Sequence, residues 1–221
     1  MSKVPSYATY QPTRGCRCAA FLDWLQMLSG ACLILFMLMH LVFVGSVILS
    51  PTLMDGLSHT FEATGMAQIG GPIIFILLLV HFLLAARKIP FASKQQGIML
   101  ANARRMHHMD TWLWVIQAVS GMVILIMGSI HLWTLLTDLP ITAAKNAQRL
   151  QGSWGWIGFY IVFIPMVWLH TGIGFYRIMV KWGIVGIEGR PGLRKKDALV
   201  AAAVVVIGFV TLARFVFLST N

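Results

Sequence analysis

Apolar residues in this chain fall in long unbroken runs, not in the short alternations or narrow stripes of a water-soluble fold. Charge-free stretches cover Trp24–Met54 (31 residues), Ala63–Ala86 (24), Thr111–Thr137 and Leu150–Tyr176 (27 each). About 20 mostly apolar residues in a helix cross the hydrocarbon core of a bilayer, so these four qualify at once. A fifth stretch, Ala198–Ala213, has 16. It reaches the needed length by continuing past Arg214, whose side chain can snorkel to the interface, through Phe215–Leu218. The pattern predicts an all-α integral membrane protein with one transmembrane domain over 1–221 and helices over about 21–49, 71–88, 110–137, 154–182 and 198–218. Ser50-Pro51 stops the first helix, and Pro165 is expected to kink the fourth. The connections read as a polar arm over 1–20, a segment carrying Asp55, His59 and Glu62, loops over 88–107 and 183–197, and a link over 138–153 with Pro140.

Composition agrees: 58% of residues are hydrophobic and only 11% charged, where a soluble domain carries about 25% charged. The net charge of +10 could indicate nucleic acid, but its distribution gives a different account. With the N-terminus inside, 14 of the 17 basic residues face inward, and only Lys145, Arg149 and Arg214 lie outside. The positive-inside rule then sets the N-terminus in and the C-terminus out, with no nucleic-acid partner expected. Those basic loops could also dock an acidic partner. The first apolar run is too long for a cleavable signal peptide. No disulfide is expected from Cys16, Cys18 and Cys32, and Cys16-x-Cys18 alone is a weak metal signal.

A repeat runs through the first four helices. Gln26-x-x-Ser29-Gly30 is followed ten residues after the glycine by His40, and Gln117-x-x-Ser120-Gly121 at the same distance by His131. His81 precedes Lys88 by seven residues, as His170 precedes Arg177. The two helix pairs read as parallel halves of a duplication.

Each of those four helices carries one histidine within its apolar run, and ionisable side chains in hydrocarbon are costly and usually functional. Their depths pair them. His40 and His131 sit ~10–14 Å below the outer surface, and His81 and His170 ~10 Å from the inner one. Two pairs stacked across one four-helix core suit two bis-histidine b haems, since each macrocycle takes a ligand from either side. Zinc would need three or four ligands at one depth. Gly128, Gly172 and Gly174 leave room for flat rings, or else simply allow close helix packing. Arg177 and Lys181 lie within ~20° of the His170 face, toward the inner side, where they suit haem propionates or snorkel. Gln26 lies near the same level.

With histidines on the first four of five helices and none on the last, the chain resembles the dihaem cytochrome b subunits of the succinate dehydrogenase/fumarate reductase superfamily, most closely those of menaquinol:fumarate reductases. The resemblance covers nearly the whole chain. It implies a distal haem on His40 and His131, a proximal haem on His81 and His170, and proximal propionates bound by Gln26, Trp114 and Lys181. It implies an acidic residue outside as the quinol proton acceptor, for which Glu62 is the candidate. It further implies a bacterial cytoplasmic membrane, and menaquinol oxidised near the outer face. Electrons would pass through both haems to cytoplasmic iron–sulfur and flavoprotein subunits, with a dimer of heterotrimers as one possible assembly. The scaffold run in reverse would be a succinate:quinone reductase. At the position two residues before the last haem histidine, where some dihaem members carry a proton-moving Glu, this chain has Trp168. Hydrogenase or formate dehydrogenase cytochromes b are alternatives that subunit composition separates. A histidine-relay transporter would need acidic partners inside the first four helices, and their charge-free runs contain none.

Overall fold

The computed structural model describes residues 14–90 and 92–219, with side chains from Arg17 onward. Eight α-helices appear among them: α1 (Arg14–Gly45), α2 (Pro51–Ala63), α3 (Met66–Ala86), α4 (Ser93–Met106), α5 (Met109–Leu136), α6 (Ala143–Gln151), α7 (Trp154–Lys181) and α8 (Arg190–Val216). Five of these, α1, α3, α5, α7 and α8, are long and apolar enough to cross a membrane. The chain is an all-α, multi-pass integral membrane protein. Its surface fits that setting: Leu35, Val42, Ile69, Leu83 and Leu199 each expose more than 60% of their area, which is stable against lipid and costly against water.

The spans α1, α3, α5 and α7 form a ring in chain order, and α8 packs along α7 and α1. Small residues allow close crossings. A Cβ on Gly71 would lie 2.5 Å from Leu136, and one on Gly208 2.7 Å from Ile164. The chain direction places the N-terminal ends of α1, α5 and α8 and the C-terminal ends of α3 and α7 together. We call this the basic end, because it bears Arg87, Lys88, Arg177, Lys181, Arg190 and Arg194.

Several boundaries differ from the sequence reading. The expected polar arm is helical from Arg14, and its first 13 residues, including Lys3, lie outside the described part. The second span begins at Met66, one residue after Gly65, whose φ of 73° lets the chain reverse from α2. The stretch 183–197, expected as a loop, is helix from Arg190, because Pro191 sits in the first turn of α8 and the charges that follow favour an aqueous helix end. The three short helices α2, α4 and α6 occupy segments expected as connections. Their polar residues hide them from a hydropathy reading, but local chemistry supports them. Pro51 starts α2, and Thr142 Oγ1 caps α6 by accepting from Lys145 N–H at 3.2 Å.

Helices α2 and α6 form a cap at the opposite end. Val47, Met54, Ala143, Ala147, Leu150, Leu212 and Phe215 make a buried cluster there. Two carboxylates clasp the cap: Asp55 Oδ1 accepts from Ala143 N–H at 2.7 Å, and Glu62 Oε1 accepts from Ile141 N–H at 2.6 Å. Asp138 accepts from Lys145 and Arg149 at 2.7 and 2.6 Å. The Lys145 hydrogen bond, with the charges of both cations, holds the Asp138 carboxyl below its ordinary pKa.

Candidate functional site

Ring packing brings all four span histidines to the wall of one central cavity of about 270 Å³. They occupy two levels. His40 on α1 and His131 on α5 face each other with ring centroids 5.9 Å apart. His81 on α3 lies beside Gly30, where a Cβ would meet its Cε1 at 3.0 Å, and His170 on α7 lies beside Gly121 at the same 3.0 Å. Gly30 precedes His40, and Gly121 precedes His131, by ten residues. At 1.5 Å per residue the lower level is therefore ~15 Å from the upper in both halves.

The sequence repeat has a matching geometry. Ser29 Oγ lies 2.9 Å from His81 Nδ1 and Ser120 Oγ 3.1 Å from His170 Nδ1. Each serine also donates to the carbonyl one turn back, Gln26 O at 3.0 Å and Gln117 O at 3.2 Å. Sequence reading marked these serines as repeat markers only; a polar residue recurring beside a glycine in two apolar helices was the signal of their contact. At the upper level His131 Nδ1 lies 3.0 Å from the Tyr160 hydroxyl, a contact that no motif announced.

Cations converge on the basic end of the cavity, which Gln26, Trp114, Lys88, Arg177 and Lys181 line. Arg177 donates to Gln117 Oε1 at 2.6 Å. Lys181 and Lys88 pair with Asp23 at 3.3 and 3.0 Å, and Arg87 pairs with it as well. Burial, with the charges of Lys181, Arg87 and Arg177, pushes the Lys88 ammonium down to about 8. Gln26 Oε1 is buried with no hydrogen-bond partner among the described residues. The repeat explains the difference between the halves: Asp23 and Trp114 occupy the same position, three residues before each repeat glutamine. Asp23 draws Lys88 away from Gln26, whereas neutral Trp114 leaves Arg177 to bond Gln117.

The other singled-out residues separate. Gly128 and Gly174 line the cavity, but Gly172 faces Asp197 and Ala201 on α8 and serves helix packing. Glu62 is half-buried in the cap clasp, with Ser58 Oγ also donating to it at 3.3 Å. It lies beside a second cavity of about 710 Å³, which shares His40 and His131 with the first and is lined by its neighbours Ser58 and Phe61, by Arg149 and by buried Trp168.

Four apolar spans, α1, α3, α5 and α7, enclose a central cavity walled by the paired histidines, with α8 packed outside them, in a multi-pass membrane protein. The chain belongs to the succinate dehydrogenase/fumarate reductase transmembrane subunit family, which matches residues 94–211. It is 33% identical to the fumarate reductase cytochrome b subunit of Wolinella succinogenes, over 97% of this chain and 89% of that protein. The corresponding Helicobacter pylori subunit is 32% identical, over 89% and 80%. The succinate dehydrogenase cytochrome b558 subunit of Bacillus subtilis is 31% identical, over 51% and 54%.

Proposed function

We propose that this chain is the membrane anchor and electron-transfer subunit of a menaquinol:fumarate reductase, with its N-terminus cytoplasmic. Two b haems are its electron carriers, His40 and His131 holding one and His81 and His170 the other. An iron–sulfur subunit and a flavoprotein subunit dock at the basic end. The observation that carries this reading is the central cavity with histidines paired at two levels. The Bacillus relative, named for succinate dehydrogenase, supports the reverse direction on the same scaffold.

The residues present fit haem. Imidazoles face the cavity at both levels, and the repeat glycines admit the His81 and His170 rings without a Cβ in the way. Lys88, Arg177 and Lys181 line the lower end of the cavity, and the acid that pairs with the two lysines is Asp23; this cation-rich lining suits the carboxylates of propionates. Gln26 lines the cavity at this level, and its amide N–H groups can donate to such a carboxylate. Bound haem supplies one-electron chemistry, and this chain supplies ligands, spacing and counter-charge. At the opposite end the larger cavity gives an apolar approach toward His40 and His131, with Glu62 beside it to accept protons from a quinol.

Purification from membranes tests the reading. The complex should carry iron–sulfur and flavoprotein subunits and show b-type visible bands in oxidised and reduced spectra, with two haems for each copy of this chain. A pure complex with no b-type bands would overturn it.

Gly121→Ala and Gly30→Ala should each lower the content of the haem on His81 and His170 and spare the other, because the new Cβ at 3.0 Å presses on the imidazole edge. Gly158→Ala, with open space around it, should leave both intact. Haem content per complex and the reduced spectrum provide the check.

A further inference from the structure

We propose that Ser29 and Ser120 are positioning residues that fix the tautomer of His81 and His170 and lower the reduction potential of the iron held between them. This rests on the reading that these two histidines hold a haem.

A serine hydroxyl carries one hydrogen, and a carbonyl oxygen can only accept. Ser29 Oγ lies 3.0 Å from Gln26 O, so its hydrogen points there, and its lone pairs face His81 Nδ1 at 2.9 Å. That nitrogen must then carry the imidazole hydrogen. Ser120 repeats the arrangement with Gln117 O at 3.2 Å and His170 Nδ1 at 3.1 Å. His170 Nδ1 also lies 3.0 Å from Gln117 O, a second pure acceptor. Both rings are thereby fixed with hydrogen on Nδ1 and a free lone pair on Nε2, the form a metal requires. Both serines are buried, at 7% and 2% exposure, so water does not compete for these bonds.

A hydrogen bond accepted from the far ring nitrogen makes an imidazole a stronger donor to its metal. A stronger donor favours ferric over ferrous iron and lowers the potential. The upper pair lacks this device in matched form. Tyr160 can donate to or accept from His131, and His40 has no hydrogen-bond partner among the described residues.

The two serines are also unequal. If Ser120 is lost, His170 keeps a well-formed bond to the Gln117 carbonyl at 3.0 Å; the Gln26 carbonyl also faces His81 but in poorer geometry. Redox titration of the visible bands in the intact complex tests this. Ser29→Ala should change the ferric preference of the His81/His170 haem about tenfold, an upward shift of ~59 mV for a one-electron couple. Ser120→Ala should shift it less, Ser29→Thr should restore the original value, and the other haem should not move. The low-spin ferric electron paramagnetic resonance signal of the same haem should change in Ser29→Ala alone of the three. If Ser29→Ala releases the haem, Ser29→Cys, with its weak acceptor sulfur, carries the test with the same direction expected. An unshifted potential with both haems bound, or an equal shift in Ser29→Thr, would overturn the assignment. Absence of b-type bands from the unmodified complex would instead overturn the haem reading beneath it.

Discussion

His40→Ala and His131→Ala should each remove the same haem, leaving one per chain, while His81→Ala and His170→Ala should each remove the other. The ground for this pairing is spatial. His40 and His131 face each other at 5.9 Å, and His81 and His170 lie at the levels of Gly30 and Gly121, ~15 Å further toward the basic end. Each alanine variant would remove one of the proposed iron ligands, a larger loss than the 10–100-fold in metal affinity typical of an outer-shell partner. Reduced-minus-oxidised spectra and haem content of the four variants measure the outcome. If His40→Ala and His81→Ala removed the same spectral component, the pairing would be wrong.

Glu62→Gln should reduce quinol-driven fumarate reduction by about 100-fold, within the range for loss of a general base. Both haems should stay bound, and fumarate reduction by an artificial donor to the soluble subunits should persist. Quinol oxidation releases two protons with its two electrons, so a carboxylate beside the upper cavity has a defined task. The fold makes this substitution informative, because glutamine keeps an oxygen that can accept from Ile141 N–H and Ser58 and so preserves the cap clasp. Glu62→Ala breaks the clasp as well. Normal quinol activity in Glu62→Gln with loss in Glu62→Ala would reduce Glu62 to a structural role.

The spans were legible because bilayer thickness imposes a length and an apolar composition that a single sequence displays. The levels of the histidines followed from counting residues along straight helices. The cap was not legible. Helices α2 and α6 are short and polar, and they are held by contacts such as Asp55 to Ala143 across 88 residues, which no local pattern encodes. Asp55 accepts from the first turn of α6, a partner its own sequence neighbourhood does not announce. Lys181 reads toward propionates from its helix face and the family resemblance, and Arg177 from its face alone. Their present partners, Asp23 and Gln117, depend on α7 meeting α1 and α5, which periodicity cannot supply. The serine contacts were half legible: the repeat marked the residues, and only the packing of α1 on α3 and α5 on α7 assigned their hydrogen bonds.

The substitution of Asp23 for Trp114 between otherwise matching halves bears on the ancestry of the fold. An ancestor assembled from two identical helix pairs, each with tryptophan at this position, would have been a two-fold symmetric homodimer. Its basic end would have lacked the counter-ion that Asp23 now gives Arg87, Lys88 and Lys181. An aspartate in one half only serves three cations drawn from both halves, Arg87, Lys88 and Lys181. Such a one-sided acid requires two halves of distinct sequence, since in a homodimer of identical pairs it would appear twice.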